Sequence, residues 1–312
     1  MVKYSIGYNY DLKLLDLLEI FRDHISGLYF PIPQRFMGSG RALKENADYE
    51  KDIPKLIRKC NELGIRSELL LNATCEGEKD CSDKIINYIK ELKEKGLTSV
   101  IVTNPIYISK IKEKINIEVE SSVNCYVKEL EHAQFLKQLG ADVITIDRDI
   151  NRNLELIKKI KEKTGAKLKM LVNEGCLRNC PFRKIHFNMI SHAIETNEFD
   201  RYSCIQIIKK NPHKVFSIPF VRPEDIKHYE GLIDYFKLAT RTMNTGKIGL
   251  LLDAYIKQKY DGDLLFLLST KSLFEYFNAI NNSILTKNNF FENVNNEEFC
   301  KKLLKEAAES NR

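Results

Sequence analysis

The chain has 312 residues, 43% of them hydrophobic and 29% charged, which is ordinary composition for a globular protein and enough apolar material for one large core or two small ones. The longest apolar stretches, such as Ile248 to Leu252 and Leu264 to Leu268, fall far short of the roughly 20 residues that cross a bilayer, so no membrane partner is expected. The first residues lack an apolar signal core, and a cytoplasmic, reducing location is the expectation. A net charge of +6 is modest, and Lys alternates with Glu on helical faces; this leaves an RNA partner open without arguing for one.

Strand-like runs alternate with amphipathic segments along the chain. Strands are predicted at Tyr4–Tyr8, Gly27–Pro31, Ser67–Asn72, Ser99–Asn104, Ile117–Ser122, Asp142–Asp147 and Lys167–Asn173. Between them lie helical patterns at Leu12–His24, Ile53–Leu63, Lys84–Lys95, Lys128–Leu139 and Asn153–Lys163, several closed by a glycine: Gly64, Gly96, Gly140 and Gly165. Strand then helix, repeated over short links, predicts an α/β fold, a parallel (β/α)8 TIM-like barrel. After Asn173 the rhythm breaks. A cysteine-bearing loop, a helical stretch Phe187–Glu195 and two more strand candidates follow, Lys214–Phe220 and Tyr235–Ala239, which makes nine candidates for eight places; Lys214–Phe220 is the suspect. The expected organisation is a barrel over residues 1–268, with its loop at 173–204, and a helical C-terminal layer over 269–312.

Eight cysteines in a reducing compartment are packed thiols, ligands or reactive groups rather than a disulfide framework. Cys60 and Cys300 sit inside helical patterns and read as structural. Asn173-Glu174-Gly175-Cys176-Leu177-Arg178-Asn179-Cys180-Pro181 follows a strand, hence lies at the C-terminal mouth where barrels place their chemistry. The spacing lets one loop aim two thiolates at one metal centre, a proline after the second cysteine is a feature of some ferredoxin ligand runs, and Arg178, Arg183 and Lys184 favour thiolates. Gly175 is the position expected to need conformational freedom. Cys204, in an insertion with no apparent rhythm, is the third candidate ligand, and Cys75, just past the third strand, the fourth; Cys125 and Cys81 remain contenders. A [4Fe-4S] cluster is the expected occupant, with zinc the competing metal. His186 and His192 are within reach as ligands or acid–base groups.

Ser122-Val123-Asn124-Cys125-Tyr126, the Asn-Glu-Gly-Cys loop and Asp234-Tyr235-Phe236-Lys237-Leu238-Ala239-Thr240-Arg241, on this barrel pattern, resemble peptidase family U32, the collagenase-like proteases. The resemblance implies cluster ligation by Cys176, Cys180 and Cys204. It also implies either peptidase activity or, as in the iron–sulfur members, oxygen-independent hydroxylation or a related redox modification of a small molecule or nucleobase. No cysteine follows Lys214–Phe220, where the family pattern has one. No Ser/His/Asp signature or His-Glu-x-x-His motif supports direct proteolysis. Glu174, Arg241, Lys237 and Arg222 are the candidate catalytic group, placed to hold an acidic small-molecule co-substrate. A non-catalytic cluster-bearing subunit working with a protein partner of the same family is the third reading.

Overall fold

The computed structural model describes residues 2–41, 49–75, 82–194, 199, 202–268 and 279–310. Eight parallel strands close into one barrel in sequence order: β1 (Tyr4–Gly7), β2 (Ile25–Pro31), β3 (Arg66–Leu71), β4 (Ser99–Val102), β5 (Glu118–Ser121), β6 (Val143–Thr145), β7 (Lys167–Leu171) and β8 (Tyr235–Leu238). The outer helices are α1 (Leu14–Ile20), α2 (Ile53–Leu63), α3 (Ser82–Glu94), α4 (Pro105–Lys114), α5 (Leu130–Gln138) and α6 (Leu154–Thr164). α7 (Arg183–Ser191) and α8 (Cys204–Lys210) then lie between β7 and β8, and α9 (Thr245–Ile256) follows β8. Gly64, Gly96, Gly140 and Gly165 all take positive φ, from 59° to 106°, and close α2, α3, α5 and α6 as expected.

Lys214–Phe220 is not a strand. Pro212–Ser217 forms a 3₁₀ helix, because Pro212 supplies no ladder hydrogen and fixes a helical φ at its start. That removes the ninth candidate. α4 was hidden from a periodicity reading because Pro105 opens it and two prolific strand formers, Ile106 and Tyr107, follow; the Asn104 side chain caps it by accepting from the Ile106 amide at 3.0 Å. After α9 come short helices α10 (Leu264–Leu267), α11 (Asn282–Lys287) and α12 (Phe290–Asn293), then α13 (Glu297–Ser310). The expected helix Leu273–Asn281 lies largely outside the described residues.

The core has two parts of different chemistry. The large apolar core fills the shell between strands and helices, with Ile57, Leu69, Ile89, Val100, Ile144, Ile157 and Leu168 fully buried there. Inside the barrel, Tyr29, Leu70 and Ile101 form a separate small apolar cluster. Below it, alternate strands contribute one polar layer: Ser5 from β1, Glu68 from β3, Glu120 from β5 and Lys169 from β7, all fully buried. Lys169 Nζ lies 3.1 Å from both Glu68 carboxylate oxygens and also bonds Glu120, Ser5 donates to Glu68 at 2.7 Å, and Thr145 donates to Glu120 at 2.9 Å. Four side chains from alternate strands are the usual content of a barrel layer, but here they are ionic. A Cβ on Gly27 would stand 2.5 Å from Glu68 Oε1, so glycine is what lets that carboxylate turn inward.

Candidate functional site

The mouth is built on the ends of β7 and β8. Asn173 clips them together, accepting from the Ala239 amide at 2.7 Å and donating to the Ala239 carbonyl at 3.3 Å. Glu174, buried, turns its Oε1 back onto the amides of Gly175 and Cys176 at 2.7 and 2.9 Å, and its Oε2 lies 2.7 Å from Arg148 Nε. Burial works against its charge, yet Arg148 and Arg41 hold its carboxyl below the usual range. Glu174 therefore shapes the loop as a fixed anion.

Asp149, just past β6, anchors the rest of the loop. Its carboxylate accepts both arms of Arg183 at 2.6 and 2.9 Å, the Lys128 ammonium at 2.6 Å and the Asn179 amide at 2.9 Å. Although burial opposes ionisation, these hydrogen bonds keep the Asp149 carboxyl well below its ordinary range. Arg183 also donates to the Leu177 carbonyl at 2.6 Å, and Arg178 bonds the Asp149 carbonyl at 3.2 Å and the Asn295 side chain. Both guanidinium groups, the ones expected beside a cofactor, hold the loop's shape. The left-handed residue in the loop is Asn179, at φ 50°; Gly175 is not among the glycines of positive φ.

Cys180 stands ahead of the first turn of α7, and Cys204 opens α8, so the insertion that held no visible rhythm is helical at the cysteine itself. Cys180 and Cys204 are close enough to act on each other. The neighbouring Cys204 thiol, with burial opposing it and the amides of Phe182 and Arg183 assisting, draws Cys180 toward the thiolate, while Cys180 and burial push Cys204 up as the protonated partner. Cys176 is partly buried, and desolvation followed by the nearby Glu174 charge pushes its thiol up to about 12; Cys176 lies near enough to Cys204 to raise that thiol as well. The loop and α8 therefore bring Cys176, Cys180 and Cys204 together.

Cys75 does not join them. The neighbouring Thr74 is tied to the last turn of α7, its amide to Ser191 Oγ at 3.0 Å and its hydroxyl to Asn188 at 2.6 Å. Cys180 precedes the first turn of that helix, and a helix of nine residues spans about 13 Å. Cys125 donates its thiol to the Val102 and Thr103 carbonyls at 3.4 and 3.3 Å, and burial pushes it up to about 12, which marks a packed thiol. Cys60 and Cys300 are buried, and Cys81 lies outside the described residues. His186 packs against Phe187 and Phe199, and His192 closes α7. Among the described residues no three His, Cys, Asp or Glu side chains converge as one metal ion requires.

Beside the cysteines, a cavity of about 40 Å³ opens over the barrel axis, its lining including Arg41, Arg148, Lys237, Arg241, Asn72 and Asn124. Lys237 Nζ sits 4.2 Å from the centre of the Tyr29 ring, and burial lowers its ammonium to about 8. Arg241 donates to Ser39 Oγ at 2.9 Å, and its burial likewise lowers it from the ordinary value. A Cβ on Gly7 would meet the Tyr29 ring at 2.5 Å and Arg241 Cγ at 2.7 Å, so the site needs glycine there. Arg222 lies elsewhere: it is buried in a two-bond pair with Asp225, at 2.8 and 2.7 Å, and also donates to Thr286. It is a structural ion pair under the C-terminal helices.

A family model described as peptidase family U32 matches residues 23–217, and the uncharacterized protease MJ1657 of Methanocaldococcus jannaschii is 35% identical over 267 residues, covering 83% of this chain and 80% of its own. The chain belongs to peptidase family U32. The solved structure of the U32 peptidase Mk0906 superposes with a TM-score of 0.57 at 21% identity, covering 76% of this chain and 92% of that one, a likeness of fold.

Sequence reasoning missed four contributors to this U32 site: Arg41, Arg148, Asp149 and Asn124. Asp147-Arg148-Asp149 directly follows a strand, and the rule that barrel chemistry sits at strand ends was signal enough to find it. Arg41 had no such signal, since it reaches the mouth from a long segment after β2. A second, more open cavity of about 390 Å³ lies on the outer side of the loop, lined by Tyr126, His132, Cys180, Arg183 and Lys184 among others. Among the described residues of this U32 chain no helix is long and apolar enough to cross a membrane.

Proposed function

We propose that this U32 chain is an iron–sulfur redox enzyme whose mouth cavity holds an anionic small molecule, and that it carries out an oxygen-independent modification such as hydroxylation. The observation that carries the reading is the meeting of three thiols, Cys176, Cys180 and Cys204, beside a cavity lined by Arg41, Arg148, Lys237 and Arg241. Four cations line that cavity and, among the described residues, no carboxylate does; Glu174 behind it is already paired with Arg148, so an acidic ligand gains charge compensation on entry.

The donor set suits a [4Fe-4S] cluster. Cluster thiolates each bind a separate iron and need not converge on one point, whereas zinc, the alternative, requires donors that do. A cluster held there supplies one-electron transfer, and Lewis acidity at an iron without a cysteine ligand. The protein's own part is to fix the thiolates through Asp149 and Glu174, to compensate their charge with Arg183, and to orient an acid against Arg241.

Anaerobic reconstitution with iron and sulfide tests this. The expected product is brown, with close to four irons per chain; Cys176→Ser, Cys180→Ser and Cys204→Ser each bleach it, and Cys75→Ser and Cys125→Ser do not. A colourless protein holding one zinc per chain defeats the reading. The peptidase alternative draws on one observation, that Cys180, inclined to the thiolate, shares the 390 Å³ cavity with His132. Cluster-free protein that cleaves a peptide, and stops when Cys180 is alkylated, would favour it.

A further inference from the structure

We propose that Lys237 is an imine-forming amine, condensing reversibly with the carbonyl of a short 2-oxo acid bound in the mouth cavity. The inference rests on the reading of that cavity as an anion site and adds a covalent step to it. Three features of the structure lead there.

Lys237 is placed to act and is not engaged in structure. It is on β8 near its C-terminal end, 6% exposed, and lines the cavity directly. Its neighbour Lys169 is saturated by Glu68 and Glu120, which leaves the layer's carboxylates committed elsewhere; among the described residues no carboxylate forms an ion pair with Lys237, and its ammonium stands over the face of Tyr29. Burial, aided by the nearby Lys169 charge, outweighs the Glu120 and Glu68 carboxylates that act to keep its proton, and lowers it to about 8, which leaves a usable fraction of free amine at neutral pH.

The surroundings suit a carbonyl acid. Arg41, Arg148 and Arg241 offer guanidinium groups for a carboxylate, which would bring the adjacent carbonyl carbon to the amine. The Asn72 and Asn124 side chains add neutral polar contacts without a competing negative charge. The cavity is small, which favours a compact acid such as pyruvate or the oxo-acid end of a longer molecule.

The step balances without an outside reactant. The neutral amine adds to the carbonyl carbon and a C–N bond forms; the carbonyl oxygen takes one proton from the amine and one from solvent, the C–O bond breaks and the oxygen leaves as water, giving a protonated imine, and hydrolysis reverses the step and returns the solvent proton. Nothing is oxidised or reduced.

The experiment uses full-length protein, pyruvate as the probe and lactate as the acid that lacks a carbonyl. Treatment with borohydride in the presence of pyruvate is expected to fix one reduced adduct per chain, mapped by peptide mass spectrometry to Lys237. Lactate competes with adduct formation but forms none itself, and Lys237→Arg, which retains the charge, keeps lactate binding by calorimetry while losing the adduct. Absence of an adduct, or adducts only on surface lysines, while lactate still binds overturns the imine and leaves the anion site standing. Failure of lactate to bind, with no adduct on Lys237, removes both.

Discussion

Lys237 is the residue whose protonation is most exposed to test. Its ammonium falls from an ordinary 10.5 to about 8 on folding, chiefly through burial. The folded chain therefore binds fewer protons than the unfolded chain between those values, and stability rises with pH across that window. Lys237→Met is expected to flatten the rise and to stabilise the protein at pH 7 by about 3 kcal/mol, the equivalent of two to three pKa units; denaturant unfolding at pH 7 and pH 10 checks both. Glu68 runs the other way. Burial opposes its charge, but Lys169 and Arg66 hold its carboxyl down to about 2 from 4.5, so its contribution is intact above pH 4.5 and drains away toward pH 2. Glu68→Gln should remove that part of the acid transition, visible as a shallower loss of stability below pH 4.5.

At the scale of elements, the cysteine loop is held by one carboxylate. Asp149 joins the end of β6 to Asn179 and to Arg183 on α7, and loss of its charge leaves Arg183 buried with the Leu177 carbonyl and the more distant Asp147 carboxylate, 3.9 Å away. Asp149→Ala is predicted to cost about 3–5 kcal/mol, as for other broken buried pairs, and to lower the iron content on reconstitution although no thiol is touched; iron assay alongside thermal melting separates this from general unfolding. Strand and helix order were legible because β-branched runs and glycine stops repeat without interruption as far as β7. The insertion was legible only in part: the helix expected at Phe187–Glu195 overlaps α7 as far as Ser191, while the start of α7 and the helix at Cys204 were missed. Its helices α7 and α8 are short, Cys204 begins one of them, and their stability comes from contacts such as Thr74 to Asn188 and Ser191, which join residues more than a hundred positions apart. The same distance in sequence made Cys75 look like a neighbour of Cys180, because ending on the same barrel face does not fix position around the rim.

For the whole molecule, the ionic layer of Ser5, Glu68, Glu120 and Lys169 divides the barrel into a packed floor and a working mouth. Strand runs could be recognised from Val, Ile and Leu on their outward faces, while Glu68, Glu120 and Lys169 read only as polar interruptions; nothing local says that such residues find one another across the barrel. Lys169→Met should destabilise by about 3–5 kcal/mol, since it removes the cation shared by Glu120 and Glu68 and leaves Glu68 with Arg66 alone, and a chemical melt is expected to show that the triple exchange with Glu68→Gln and Glu120→Gln recovers most of that loss. Gly7→Ala makes the complementary point at the mouth, where a single methyl collides with Tyr29 and Arg241. The layer also gives the barrel a particular response to heat. Dehydrating charges becomes less unfavourable as temperature rises, whereas the apolar contribution per unit area levels off. A barrel filled with Glu68, Glu120 and Lys169 therefore gains on a barrel filled with leucine as it warms, and the two should cross: the ionic interior is the weaker filling in the cold and the better one near the melting point.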